Sequence, residues 1–293
     1  MSFNEKYKKI KQLVQCELDI IERNLISQIN IREPLNSYIK DFLTLPSKRI
    51  RLVLPLLYLK AHNQTVTSEQ LWLLTVVELV HNASLIHDDV IDKSDFRRAH
   101  KTLSEEFDNK LAVISGDYIL SIAVDILVKL NSIDIISKFS QTIKKMCIGE
   151  INQNFDRFKI GTIENYIEKT TNKTAYLFEI ALTCTVMLAK TGIDIEHAGK
   201  FALDTGIAFQ IRDDLINLTN TDSEKPADND IKDGIYNAAV IYSGNPVDFD
   251  SGIEKTRDLL NNYIKSARKH LDNLVPNEYK SALIKLLELL NNE

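Results

Sequence analysis

The 293-residue chain has little of what breaks a helix. It holds 9 glycines and 6 prolines, less than half the usual shares of roughly 7% and 5%. With long 3.6-residue periodicities and abundant Leu, Ile, Lys and Glu, this argues for an almost wholly helical protein. Its 3 cysteines, Cys16, Cys147 and Cys184, are scattered, odd in number and without metal spacing. That excludes a disulfide framework and points to reduced thiols. The N-terminus, MSFNEKYKKIKQ, lacks the apolar core of a signal peptide. No uninterrupted apolar run approaches the roughly 18 residues of a membrane span, so a soluble, cytoplasmic protein without a transmembrane segment is expected. Basic residues number 36 against 41 acidic, giving net charge −5 and pI near 5.8. No general electrostatic footprint for nucleic acid exists. Internal repeats, low-complexity tracts and linkers are absent too, so residues 1–293 read as one domain with a large core.

What is present concentrates between Glu78 and Thr102, ELVHNASLIHDDVIDKSDFRRAHKT. Asp88, Asp89 and Asp92 sit at i, i+1 and i+4, so Asp88 and Asp92 lie about 40° apart on one helical face. The apolar run before them, Leu71 to Val80, implies that their helix is largely buried. Stacked carboxylates there repel one another and lose hydration, which pushes a pKa up. Mg²⁺ resolves the conflict, because it prefers one or two carboxylates together with phosphate oxygens. Five residues past Asp92 stands Arg97-Arg98, the side-chain type best matched to diphosphate. A solvated face is the ordinary explanation of an acidic triplet. A second acidic pair, Asp213-Asp214, in a similar setting favours the metal.

Helices are expected at about Asn4–Gln28, Leu35–Leu45, one that follows the interruption at Pro46–Arg51 and runs through Leu59, Ser68–Ile91, Asn109–Lys129, Ser132–Lys159, a short one from Ile163, Thr170–Lys190, Glu196–Asn217, Ile253–Val275 and Glu278–Asn291. A polar loop, Thr219 to Gly234, precedes the last two. Lys48, Arg49 and Arg51 open a helix, where cations oppose the positive end of its dipole. A bound anion explains them; a solvated basic turn is the plainer alternative.

With these residues in view, the chain resembles the trans-isoprenyl diphosphate synthases (the polyprenyl synthetase family), of the long-chain type, over roughly residues 40 to 245. DDVIDKSDFRR matches the first aspartate-rich motif and its arginine pair. FQIRDDLIN matches the second, SKRIR the upstream basic signature, Lys173-Thr174 the lysine–threonine pair and Lys225 a later lysine. The resemblance implies an all-α, single-domain antiparallel bundle around a deep central cavity, usually a homodimer. It implies head-to-tail joining of an allylic diphosphate to isopentenyl diphosphate. Asp88, Asp92 and Asp213 would bind Mg²⁺, three ions in all, with Asp89 and Asp214 in support. Arg97, Lys173 and Lys225 would hold the allylic diphosphate. Lys48, Arg49, Arg51, His81 and Arg98 would hold isopentenyl diphosphate, and Thr174 and Gln210 would lie near the reacting carbons. Taken alone, His81 reads more simply as a core histidine.

This chain departs from the pattern at Ser47 for glycine, Asn217 for the third acid, Ala227 and Asp228 in a glycine-containing stretch, and Ile235 for a final lysine. Reduced affinity, not lost activity, is expected. The residues four, five and eight before Asp88 are Ser84, Ala83 and Val80. In the family, aromatic residues at the first two stop growth early; small ones here imply a product of C20 or longer, in the C30–C40 range. Ala83→Phe is then expected to shorten it. Three rivals remain: a class I terpene cyclase, a subunit of a heteromeric prenyl synthase, and a helical scaffold with acidic surface.

Overall fold

The computed structural model describes residues 3–219 and 229–291. The chain folds as α1 (Phe3–Gln12), α2 (Gln15–Gln28), α3 (Leu35–Thr44), α4 (Ile50–Ala61) and α5 (Ser68–Ile91). A two-stranded antiparallel hairpin follows, β1 (Phe96–Arg97) and β2 (His100–Lys101), then α6 (Leu103–Glu106), α7 (Asn109–Lys129) and α8 (Ile133–Phe155). Next come α9 (Ile163–Thr170), a π-helical turn (Thr171–Ala175), α10 (Tyr176–Ala189) and α11 (Ile195–Thr219). The end of the chain forms α12 (Asn229–Lys232), α13 (Ala238–Ser243), α14 (Asp250–Lys269) and α15 (Glu278–Leu290). The class is all-α, as the composition implies.

Several boundaries follow from capping chemistry. Thr67 and Gln70 form a reciprocal capping box that starts α5 at Ser68, satisfying two otherwise orphaned N–H groups. Asp108, Ser132, Thr162 and Asn277 cap α7, α8, α9 and α15 in the simpler way, each side chain accepting from a backbone N–H of its helix. The expected first helix is broken at Leu13-Val14 into α1 and α2. The expected helix over 170–190 is interrupted by the π turn, and α13 and the hairpin were not anticipated. The hairpin turns through Arg98 and Ala99, both at positive φ (53° and 61°), the backbone of a tight turn normally given to Asn-Gly.

One continuous core runs from Tyr7 to Leu290. Helix α5 lies along α7, α10 and α2, while α10 packs on α11 and α11 on α14. Its C-terminal turn is thereby held near the C-terminal half of α11. Helix α7 is apolar enough on average to match a membrane span, though it holds no uninterrupted apolar run of that length. An 18-residue window within it has mean hydropathy 2.0, so by length and composition it matches a span, although 39% of that window is buried inside this chain. Asp117 and Asp125 interrupt the apolar run, although the window average stays high. Val113, Ile114, Val124 and Val128 of this helix are exposed.

The turn between α3 and α4 is fixed by Arg49, itself left-handed at φ 53°. Its Nη1 donates to Glu78 Oε1 at 3.0 Å and its Nη2 to the Leu43 carbonyl at 2.8 Å. The Arg49 and Glu78 side chains are only 6% and 5% exposed. Removing one partner of such a pair strands the other charge. Arg49→Met is expected to lower unfolding free energy by about 3–5 kcal/mol in urea titrations; a loss under about 1 kcal/mol would contradict the assignment.

Candidate active site

The sequence-predicted residues gather around three adjoining hollows at the end of the bundle where α5 and α11 terminate. The first, about 410 Å³, is lined by Lys48, Arg49, Arg51, Glu78, His81, Arg97, Arg98, Gln210 and Asp213 among others. Arg51 donates from Nη1 to His81 Nε2 at 3.2 Å and lies over the Phe178 ring. Burial lowers the Arg51 pKa to about 10 and, with Arg51 and Arg98 nearby, pushes His81 well below its usual value. His81 is therefore a neutral acceptor. The Arg51 Nε is buried with no partner. Lys48 Nζ stands 3.8 Å from Asp213 Oδ1. Helix α1 ties this loop down: Tyr7 Oη donates to the Lys48 carbonyl at 2.8 Å and Lys11 Nζ to that of Ser47 at 3.1 Å. Ser47 is not among the positive-φ residues, so replacing glycine there introduces no strain.

The second hollow, about 210 Å³, is polar and lined by Asp92, Lys169, Lys173, Thr174, Gln210, Asp214, Asn217, Ile235 and their neighbours. A hydrogen-bonded chain crosses it. Thr174 Oγ1 donates to Gln210 Oε1 at 2.8 Å, Gln210 Nε2 to Asp214 Oδ1 at 2.8 Å, and Tyr166 Oη to Asp214 Oδ2 at 2.7 Å. Burial raises the Asp214 pKa to about 6, against the lowering effect of its two donors. Lys173 and Thr174 project from the π turn, a local widening common at functional sites. Lys173 Nζ pairs with Glu150 Oε2 at 2.5 Å. Burial works against its charge, yet Asp88, Glu150 and Asp92 raise its pKa above the ordinary lysine value.

The third hollow, about 300 Å³, is largely apolar and lies under Asp88. Val80, Ser84, His87 and Ile91 of α5, Leu120 of α7, and Ile143, Met146, Cys147 and Ile151 of α8 form its walls. Burial, with Glu150 and Asp92 adding repulsion, raises the Asp88 pKa to about 6 despite Lys173. Burial likewise raises Asp213, with Lys48, Arg212 and Arg51 opposing. The first and second hollows share Gln210, and the second and third share Lys173. Both acidic helix ends thus border one connected site.

Three expectations change, and a fourth falls on residues outside the description. Arg49 lines the first hollow but spends its guanidinium on Glu78 and Leu43; it shapes the loop. Arg97 donates from Nε to Asp89 Oδ1 and Oδ2 at 2.8 and 2.9 Å, and from Nη2 to Oδ1 at 2.7 Å. Arg97 and the buried Asp89 are therefore committed to each other and anchor the hairpin to α5. Ala83 is fully buried and does not face the apolar hollow, whereas Val80 and Ser84 do. Lys225, Ala227 and Asp228 lie outside the described residues.

Sequence reasoning overlooked Glu78, Glu150, Tyr166 and Lys169. For Lys169 a signal existed: it precedes Lys173 by four residues, one helical turn on the same face. It borders the same hollow as Ile235, and its Nζ donates to the Tyr236 carbonyl at 3.4 Å.

Asp88, Asp92 and Asp213 offer hard oxygen donors suited to Mg²⁺. Among the described residues, no three His, Cys, Asp or Glu side chains form a cluster that holds a metal unaided. The donor set thus fits a cation that arrives with phosphate oxygens completing its shell.

The family model described as polyprenyl synthetase matches residues 32–276. A prenyl transferase of Cyanophora paradoxa is 31% identical over 301 residues, covering 92% of this chain and 93% of that protein. Heptaprenyl diphosphate synthase component 2 of Bacillus subtilis is 31% identical across 81% of this chain and 70% of that one. A decaprenyl-diphosphate synthase of Dictyostelium discoideum is 32% identical across 87% of this chain and 62% of that one. Among solved structures, a polyprenyl synthase from Caulobacter crescentus complexed with calcium and isoprenyl diphosphate superposes with TM-score 0.87 at 21% identity, covering 98% of each chain.

Inorganic pyrophosphate is expected to bind this site in the presence of Mg²⁺, as measured by calorimetry. Lys173→Ala should weaken it at least about tenfold, or 1.4 kcal/mol, and Lys169→Met by a smaller factor. Unchanged affinity in Lys173→Ala would remove that lysine from the site.

Proposed function

The chain belongs to the polyprenyl synthetase family, and from that premise we propose how its own residues divide the work. It is a trans-prenyltransferase of the long-chain polyprenyl diphosphate synthase type. The family uses allylic and isopentenyl diphosphates with Mg²⁺. The observation that carries the residue assignment is the junction of three hollows: one basic, one polar and acidic, one apolar. These suit, in turn, an isopentenyl diphosphate, the diphosphate head of an allylic primer, and its growing tail.

In this reading Lys48, Arg51 and Arg98 grip the isopentenyl diphosphate, and neutral His81 fixes the Arg51 guanidinium. Lys173 faces the allylic diphosphate, with Lys169 on the same helical face supplying a cation near Ile235. Lys225, which comes after α11 in the sequence and lies outside the described residues, is assigned to the same diphosphate. Arg97 acts at one remove, holding Asp89 and with it the hairpin that presents Arg98.

Breaking the primer's carbon–oxygen bond leaves an allylic cation and a concentrated negative leaving group. Cations fixed in advance stabilise that developing charge without reorganising. Asp88, Asp92 and Asp213 would hold magnesium, three ions in our proposal. Magnesium, when bound, neutralises charge on the departing diphosphate. The Thr174–Gln210 pair offers partial negative charge toward the reacting carbons without serving as a nucleophile. The apolar walls exclude water that would quench the cation. After the new carbon–carbon bond forms, the departed diphosphate takes the proton, so no side chain with a tuned pKa is required.

Ser84 and Val80 leave the third hollow open below Asp88, which supports a product in the C30–C50 range. The exposed Val113, Ile114, Val124 and Val128 of α7 support a homodimer built on that face. A heteromer is the second reading, favoured by the relative named component 2. The family's members are soluble enzymes; the three free thiols suit the reducing cytoplasm, where we place this one. We take the whole chain as a single domain.

Incubating the purified chain with Mg²⁺, labelled isopentenyl diphosphate and C5 to C20 allylic primers should yield polyprenyl diphosphates of C30–C50 by chromatography. Ser84→Phe should shift them to shorter lengths. No product from any primer would reject a self-sufficient synthase and favour the heteromeric reading.

A further inference from the structure

Helix α5 turns Val80, Ser84, His87, Asp88 and Ile91 toward the apolar hollow. His87 contributes the one ring to a lining that is otherwise mostly aliphatic and sulfur, with Ser84, Asp88, Glu150 and Lys173 as its polar members. Its ring rests on Gly116 of α7. A Cβ placed on Gly116 would come within 2.2 Å of His87 Nε2, 2.5 Å of Cδ2 and 2.9 Å of Cε1. The nearest atoms at this glycine all belong to the His87 side chain, and none to the α5 backbone. The missing methyl therefore makes room for a ring.

The ring is also oriented. A carbonyl oxygen only accepts, so His87 Nε2–H donates to the Val113 carbonyl, at 3.2 Å. Asp117 Oδ1 lies 3.5 Å from the same nitrogen. Gly116 and these two acceptors form a socket that parks the imidazole against α7, at the upper rim of the hollow.

We propose that His87, seated on Gly116, is a determinant of product length. Seated, the ring leaves the passage beneath Asp88 open; displaced from the socket, it fills the passage beside Ser84 and stops elongation. This rests on reading the apolar hollow as the tail-binding chamber.

The test is the product distribution of four proteins: wild type, Gly116→Ala, His87→Ala and the double variant. Gly116→Ala should shorten the product by at least one five-carbon unit, because the added methyl occupies the ring's place. His87→Ala should leave the product as long or longer. The double variant should recover at least wild-type length, since the three atoms nearest the methyl all belong to the ring. An unchanged distribution in Gly116→Ala would overturn the proposal. So would a double variant as short as Gly116→Ala, which would mean that α7 itself had shifted. If Gly116→Ala does not fold, the proposal stands or falls on His87→Ala, whose product must be as long or longer; a shorter one overturns it. Ser84→Phe separates the two layers. If it shortens the product while Gly116→Ala does not, the chamber stands and the role of His87 is lost. If neither does, the chamber reading fails and this inference with it.

Discussion

Negative charge in a place that resists it is the constraint on which this structure depends. Asp88, Asp213 and Asp214 all have their carboxyl pKa values raised by burial. A charge withdrawn from water is tolerated only when opposite charges or donors answer it. Each acid has its answer from a different element. Lys173 reaches Asp88 from the π turn, Lys48 reaches Asp213 from the loop before α4, and Tyr166 and Gln210 donate to Asp214. Asp89, buried deepest in the first cluster, has Arg97 to itself. These answers are partial by design. Asp88 is raised to about 6 even with Lys173 beside it, which leaves it suited to the further cation that we propose.

The same arrangement explains why the cations fall into two kinds. Arg49 and Arg97 are engaged by protein acceptors and hold the loop and the hairpin in shape. Arg51 keeps its Nε without a partner in a buried position, a desolvated donor that a bound anion would satisfy. The backbone shows a related division. Arg49 and Arg98 both adopt positive φ, which costs of order 1–3 kcal/mol each and persists where the surroundings over-determine it. Both lie on the rim of the basic hollow.

Much of this was legible in the residues. The acid spacing at Asp88 and Asp92 put them on one helical face because α5 is regular, and its span, Ser68–Ile91, followed from its apolar run. The capping box at Thr67 and Gln70 explains that start. Other features were hidden for identifiable reasons. A guanidinium in a sequence does not declare its acceptor, so Arg49 and Arg97 read as substrate ligands. Ala83 and Ser84 differ by about 100° around the helix axis, and composition alone does not say which faces the hollow. The π turn at Thr171–Ala175 left no mark in the residues, although the four-residue spacing of Lys169 and Lys173 matches their place on one hollow. The hairpin uses Arg98 and Ala99 where a turn signal would have shown Asn and Gly. Nothing in the sequence tied Gly116 to His87, since that relation crosses from α7 to α5.

Two acidic helix ends acting as one device is the central claim, and a double-mutant cycle on kcat measures it most directly. Residues that work as a unit give grossly non-additive losses. Asp88→Asn and Asp213→Asn should each lower kcat by at least about a thousandfold, and the double variant should be little worse than the weaker single one. Losses that multiply in the double variant would mean that the two ends act independently, and the shared site would be refuted.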